Sequence, residues 1–450
     1  TPFKEGSLLL NEQHFYKNSI LKQWTSKHAH PVTLRQLANF GKRMTQEKIV
    51  SSANFVRTEI PTRLSLKIDE LQQLPYQITS NHHINQVYQS YYHCFNAFRK
   101  IEEIKSLQEN EKFCKFVYNM LNDHLIVLPH LMMGALEVSI LGLMSQKDLD
   151  EFMSSMLRSR MSRRVIMDQH ISMSRAFMEN QKNNNHSNEV KPPDYVGEAF
   201  HYCSAHRHLR LSYDKITIFM KSLYPQLQMP ELQINGDDVK FQFMTNHLNY
   251  IFTELLRNSL KSTIVQFMKL NKLHEPVSNL KPPPIIVDIT NTKSELTFKI
   301  SDQGGGIPPE KMETLWSFGK PPNSAMEHLE NFHKIPGLTI PKKLPIEEHH
   351  YFRDLSERTH SYLTDDLGNI LDTIGTMEMT SHDDSESTLE SLASRPFELT
   401  LGISLPMCKV YTDYWNGVLE ASSMYGYGSD FYLKLRKLGN KSDTAQLDKA

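Results

Sequence analysis

Glu254 and Asn258 stand four residues apart within the apolar-periodic stretch Asn246–Leu270, so a helix there carries both on one face. A second group, Asp302-Gln303-Gly304-Gly305-Gly306, follows directly on the alternating run Leu296–Ser301. Further on come Gly402, shortly before Leu405-Pro406, and then Gly426-Tyr427-Gly428-Ser429-Asp430. Each group has a definite chemical use. An amide side chain such as Asn258 is a neutral oxygen ligand suited to Mg2+ beside phosphates. A carboxylate at a strand end, as at Asp302, accepts a hydrogen bond from a purine amino group, and adjoining glycines let backbone and base approach closely. A glycine turn entering a helix, as from Gly402 to Leu405, offers unpaired N–H groups to phosphate. Glu254, one turn before the metal ligand, is placed to take a proton from a hydroxyl. Singly these are ordinary helix faces and turns; together and in this order they describe a Mg·ATP site with a base.

Other nucleotide and metal signatures are missing. The chain has no G-x-x-x-x-G-K-S/T phosphate loop, no D-F-G or H-R-D-L and no H-E-x-x-H, and its 21 histidines show no metal-ligand spacing. Lys plus Arg is 50 and Asp plus Glu is 51, a net charge of −1, which argues against nucleic acid as a partner. Cys94, Cys114, Cys203 and Cys408 form no C-x-x-C pair and read as reduced thiols. The most apolar stretch, Leu125–Met144, is interrupted by Pro129, His130, Glu137 and Ser139, so it reads as a buried helix and no membrane span is expected. The chain opens at Thr1 without a methionine or an apolar signal, which reads as either a processed or an artificially cut start with any targeting peptide already gone.

The elements that must position these groups follow from periodicity. At about 150 residues per domain, 450 residues suggest two or three domains. Residues 33–179 carry helical spacing throughout, with Pro31, Pro61 and Pro75 at expected starts or breaks. Long helices with short connections suggest a bundle. The polar run Gln181–Asn188 before Pro192-Pro193 marks a boundary, giving domains at 1–184 and 195–440. Beyond it helix and strand alternate: helices at Ala199–Ser222, Asn246–Leu270 and Leu405–Trp415, and strands at Gln228–Ile234, Lys240–Met244, Ile285–Thr290, Leu296–Ser301 and Asp430–Arg436. The fold class is α+β. The stretch 320–395 includes Thr380–Ser394, with five serines and four acidic residues, and reads as a mobile insertion that accounts for the lean 39% apolar content.

The ordered set Glu254-Leu-Leu-Arg257-Asn258, Ile300-Ser-Asp302-Gln-Gly-Gly-Gly306-Ile307 and Gly426-x-Gly428-Ser429-Asp430 resembles the nucleotide site of the Bergerat-fold ATPases and kinases. The first half narrows this. Leu34-x-x-Leu37-x-x-Phe40-Gly41, Phe55-Val-Arg57-x-Glu59-Ile-Pro61-Thr-Arg63-Leu64 and Ser159-Arg160-Met-Ser-Arg163-Arg164 through Gln169-His170 resemble segments of the mitochondrial 2-oxoacid dehydrogenase kinases, over residues 33–180 and 195–437. The resemblance implies a four-helix-type regulatory and docking bundle followed by an α/β-sandwich kinase domain, with 320–395 as an oversized ATP lid. It implies ATP and Mg2+ as cofactors, Glu254 as general base for a substrate serine, Asn258 on Mg2+ and Asp302 on adenine. Gly304 and Gly306 would form the pocket floor, Ser429 would lie near adenine, Lys261 would keep a basic group near the nucleotide, and Gly402, Ser404 and Leu405 would hold phosphate. It further implies a mitochondrial matrix location. The implied partners are a 2-oxoacid dehydrogenase component as substrate, a lipoyl-bearing acyltransferase core, and a second kinase chain as homodimer or heterodimer.

Several residues depart from that family. Ser404 replaces the second glycine of the phosphate loop, altering its expected closure while keeping an N–H. Tyr250 stands where pyruvate-type members carry His and branched-chain members Tyr, so both complexes stay open as substrates, with the pyruvate complex preferred. A sensor histidine kinase is the second reading, but its His-acid pairs, His274-Glu275 and His382-Asp383, lie in loop-like sequence. A nucleotide-binding scaffold is the third, against which the retention of Glu254, Asn258 and Asp302 weighs.

Overall fold

The computed structural model describes residues 19–34, 36–37, 44–182, 197, 199–223, 227–271, 281–335, 389, 392–393, 395–396, 398–438 and 446–447. Its first half is helical: α1 (Ser19–Thr25), α2 (Gln46–Gln73), α3 (His82–Arg99), α4 (Leu107–Asp123), α5 (Val127–Leu141) and α6 (Gln146–Lys182). Capping side chains set their starts. Thr45 accepts the Lys48 N–H, Asn81 those of His83 and Ile84, and Ser106 that of Glu109, each satisfying an orphan donor of a first turn. Gly142, in the left-handed region at φ 61°, ends α5.

Helix α2 packs on α3, α4 and α6, and α3 on α5. The expected break at Pro61 is absent: α2 runs through it, because Ile60 and Leu64 are fully buried on either side and tertiary packing outweighs one lost backbone bond. Leu107–Leu141 is long and apolar enough to cross a membrane, yet most of it lies inside the protein; Val127–Met133 are all buried, as a core helix requires. Two of the quoted N-terminal segments, 55–64 and 159–170, supply tight contacts, while residues 38–41 of the other lie outside the described residues. Glu59 and Arg63 pair at 2.8 Å, Ser52 Oγ lies 3.0 Å from His170 Nδ1, and Gln169 Oε1 accepts the Ala199 N–H at 3.1 Å, which ties the two halves.

The second half contains β1 (His201–Ser204), α7 (Ala205–Leu223), β2 (Leu232–Asn235), β3 (Lys240–Phe243), α8 (Thr245–Leu270), β4 (Ile285–Asn291), β5 (Glu295–Asp302), α9 (Pro322–Phe332), α10 (Ser404–Tyr414), β6 (Val418–Met424) and β7 (Gly428–Arg436). One sheet has the order β2-β4-β5-β7-β6, parallel only between β2 and β4. Its alternation is regular: Ile285, Val287, Leu296, Phe298, Ile300, Leu433 and Leu435 are buried, and Phe298 meets Phe252 of α8 edge-on at 4.9 Å. Helix α8 is thus pinned across β5, which aligns the helix bearing Glu254 with the strand ending in Asp302. Helices and sheet together match the α+β expectation.

Residues 201–204, expected as the start of a helix, instead pair antiparallel with β3. Strand β6, not expected, completes a hairpin with β7; its run Glu420-Ala421-Ser422-Ser423 holds no large apolar residue and interrupts the alternation, and the neighbouring strand decides. Of the expected insertion, residues 320–335 are described and belong to the packed structure. Helix α9 lies on α5, and Ala325, Phe332 and Ile335 are buried, as is Leu392 at the far end. Residues 336–388 lie outside the described residues. Near the ends, Val32-Thr33 pair antiparallel with Gln446-Leu447.

Candidate nucleotide site

Helix α8 carries Glu254, Arg257, Asn258 and Lys261 toward the end of β5. Glu254 is fully buried, whereas Asn258 and Lys261, one and two turns on, are half-buried. Asp302, the last residue of β5, is 6% exposed and sits in register with Ser429 of β7. Its Oδ1 accepts the Gly304 N–H at 2.9 Å. Burial drives the Asp302 carboxyl above its ordinary range, only partly offset by the backbone N–H groups of Gly304 and Ser429.

The glycines are where a side chain has no room. A Cβ on Gly304 would stand 2.2 Å from Ser262 Oγ of α8, and one on Gly306, at φ 71°, would stand 2.3 Å from the Met424 carbonyl oxygen. The loop is stitched to the β6–β7 hairpin: Gly305 N–H donates to Tyr427 O at 3.1 Å, Gly426 N–H to Gly305 O at 2.8 Å, and Ile307 N–H to Ser423 Oγ at 2.6 Å. Ser429 is buried with its Oγ 3.1 Å from Ser423 Oγ. Asp302, the glycine loop, Ser429 and the Asn258–Ser262 turn of α8 therefore share one cradle of backbone and small side chains.

Gly402 has φ +70°, and a Cβ there would collide with His328 of α9 at 2.2 Å. His328 Nδ1 and Asn331 Nδ2 both reach Thr400 O, at 3.0 and 2.9 Å, fixing the turn before α10. Ser404 is the first residue of α10, and Asn416 is the lone non-glycine with positive φ among the described residues, so serine at 404 costs no backbone strain. Pro406 has no N–H and Met407 N–H bonds Ile403 O at 3.0 Å, so the first turn can offer phosphate the N–H groups of Ser404 and Leu405.

The sequence reading missed Arg395, which it left inside the insertion. Its Nη2 reaches Glu254 Oε2 at 2.9 Å and Ser404 Oγ at 3.2 Å, and its Nη1 bonds Glu254 Oε1. Arg257 donates to the carbonyls of Arg395, at 3.0 Å, and Ala393. Burial alone would raise the Glu254 carboxyl, but Arg395, with Arg257 and the Ser404 hydroxyl behind it, holds it below its ordinary value. An arginine between Ser394 and Pro396, closing a polar tract, carries no local signal of such a role. Tyr250 turns its hydroxyl to Met407 Sδ at 3.4 Å.

Among the described residues no group of three or more His, Cys, Asp or Glu side chains could hold a metal by itself. Mg2+ shared with phosphates needs only one or two protein oxygens, and the half-buried amide of Asn258 beside the cradle meets that requirement.

The model of the mitochondrial branched-chain alpha-ketoacid dehydrogenase kinase family matches residues 31–200. The chain is 35% identical over 458 residues to pyruvate dehydrogenase (acetyl-transferring) kinase 2, mitochondrial, of Saccharomyces cerevisiae, covering 99% of this chain and 90% of that protein. It is 24% identical over 427 residues to the mitochondrial pyruvate dehydrogenase (acetyl-transferring) kinase of Arabidopsis thaliana, covering 94% of each. With the human isozyme 4 of that kinase it shares 25% identity over 316 residues, 67% of this chain and 71% of the relative.

Proposed function

The chain belongs to the mitochondrial 2-oxoacid dehydrogenase kinase family, and on that premise we propose that it transfers the γ-phosphate of ATP to a serine of the pyruvate dehydrogenase component in the mitochondrial matrix, inactivating that complex. The observation that carries this is the cradle joining Asp302, Gly304, Gly306 and Ser429 to the α8 face of Asn258 and Lys261, with Glu254 one turn away. In this reading the sheet and its helices form a Bergerat-type nucleotide domain, and the N-terminal helices form a regulatory and docking bundle.

Asp302 accepts the adenine amino hydrogen while its second role, holding the Gly304 N–H, keeps the loop open to the base. Gly304 and Gly306 form a floor without side chains. Gly402 turns the chain so that the Ser404 and Leu405 N–H groups face the phosphates, with Lys261 adding positive charge. Asn258 would hold Mg2+, whose charge, when bound, offsets that of the phosphates. Glu254 takes the proton of the substrate serine hydroxyl as that oxygen attacks phosphorus. Most of the acceleration in such a transfer comes from positioning and charge neutralisation, with the base adding about 10²- to 10⁴-fold.

The lipoyl-bearing core of the complex as docking partner, and a second kinase chain as dimer partner, belong to the same reading. A swap assay tests it: the chain, Mg2+ and labelled ATP are added to purified pyruvate and branched-chain complexes in turn. Phosphoserine on the pyruvate dehydrogenase component is expected. Label confined to the branched-chain complex, the substrate named by the matching family model, would reassign the substrate but leave the kinase.

A further inference from the structure

Arg395 closes over the proposed base. It spans both carboxylate oxygens of Glu254, and the same guanidinium donates to Ser404 Oγ at 3.2 Å and, through Nε, to Leu399 O at 3.0 Å. Glu254 is 0% and Arg395 4% exposed. A carboxylate sealed in this way presents no surface to a substrate hydroxyl, and the cation in contact weakens it as a base.

The arginine is not part of the helix it blocks. It arrives on a short segment whose other anchors are Leu392, buried against the core, and the carbonyls of Ala393 and Arg395, both held by Arg257 of α8. Ser404, the third member, is the first residue of α10 and belongs to the proposed phosphate turn. Base, blocking cation and phosphate turn are thus joined at one point. Among the described residues of the segment, the anchors are the buried Leu392 and the polar contacts of Ala393 and Arg395 with α8 and α10.

We propose that Arg395 is an autoinhibitory latch: seated as here it caps Glu254 and holds transfer off, and withdrawal of its segment uncovers the base. This rests on Glu254 being the base. Phosphate arriving at Ser404 offers the guanidinium a second anionic partner at the place it already touches, so the nucleotide itself supplies a means of release. Besides Arg395, the groups facing Glu254 are Arg257 and Tyr250 from α8, and Ser404 and Cys408 from α10.

The test compares the full chain with Arg395→Met, Arg257→Met and Glu254→Gln, using the 2-oxoacid dehydrogenase complex, Mg2+ and labelled ATP. Melting curves and binding of a fluorescent ATP analogue verify folding. Arg395→Met is expected to transfer phosphate at least about threefold faster at pH 8. The acid limb of its rate profile should move to higher pH, because Glu254 has lost its cation. A folded Arg395→Met that transfers at the parent rate or slower overturns the latch. Should that variant not fold, Arg257→Met, which frees the segment but keeps the pair, is judged by the same criterion. If Glu254→Gln stays fully active, the base assignment itself fails; if it is inactive while Arg395→Met is slow, only the latch fails.

Discussion

Asp150 of α6 accepts the backbone N–H of Phe318 at 2.6 Å, and the same oxygen accepts the Ser317 hydroxyl at 3.0 Å. Gly319, next in the chain, lies so close to Gln146 that a Cβ would stand 3.0 Å from its Cγ. The strand bearing Asp302 is followed, within 20 residues, by a segment docked on the first turns of the longest helix.

Asp150→Ala should therefore strip the Phe318 N–H of its acceptor, leave the Ser317 hydroxyl with the Gly319 carbonyl 3.3 Å away, and cost about 1–3 kcal/mol. A lowered denaturation midpoint is expected, with Asp150→Asn recovering part of it through its remaining oxygen. An unchanged midpoint would mean that water replaces the carboxylate at no cost.

Glu254→Gln should bind ATP like the parent and lose about 10²- to 10⁴-fold in transfer rate. It should also melt lower, since the buried Arg395 loses its counter-charge. Single-turnover transfer measured beside nucleotide affinity separates the two effects.

Asp302→Ala should weaken ATP binding by about tenfold or more, roughly 1.4 kcal/mol or above. Asp302→Asn gives a pH test. The folded-state carboxyl is raised by burial, so in the parent the folded state holds its proton more tightly than the unfolded state does. Parent stability therefore falls as pH rises from the unfolded carboxylate value, about 3.9, through the raised folded one. Without nucleotide, Asp302→Asn should lack this decline; denaturation midpoints across that range, with parent minus variant plotted against pH, check the sign.

Gly306→Ala and Gly426→Ala separate space from strain. Both glycines have positive φ, 71° and 91°, but a Cβ on Gly306 strikes the Met424 carbonyl whereas one on Gly426 meets nothing within 4 Å. Gly426→Ala should cost about 1–2 kcal/mol of stability and keep nucleotide binding. Gly306→Ala should displace the hairpin from the glycine loop and abolish binding, as read by titration with a fluorescent ATP analogue.

Four buried histidines, His83, His130, His170 and His247, have pKa values pushed down by burial to about 2, 3, 4 and 3. Each is neutral when folded and binds a proton once unfolded, so stability should be full above about pH 6.5 and fall below it. On the order of 1 kcal/mol per histidine is lost by pH 5.5. Urea midpoints at pH 7.5 and 5.5 check this, and His170→Gln should shrink the difference.

Most helices and strands were legible because their periodicity coincides with burial: Phe298 and Ile300 alternate inward in β5 as in the sequence, and α8 runs from Thr245 where Asn246 was expected. The cradle was legible because its parts are local. Asp302 and its glycines adjoin one another, and Glu254 and Asn258 share a helix. What escaped was set by distant partners. Strand β6 exists because β7 supplies its ladder, and helix α9 because α5 and the Gly402 turn receive it. Arg395 matters because a carboxylate 141 residues away in the chain needs a cation. None of these is visible within a window of sequence.

The close approach of Gly402 to His328 has an inheritance attached to it. The imidazole occupies the volume that any larger residue at 402 would need, while its Nδ1 fixes the turn through Thr400. These positions lie 74 apart in the chain, one in the turn proposed to hold phosphate and the other in a stretch that reads as an insertion. Drift at either is accepted only with an answering change at the other. Among descendants of this gene, part of the apparent insertion should be as slow to change as the site it borders.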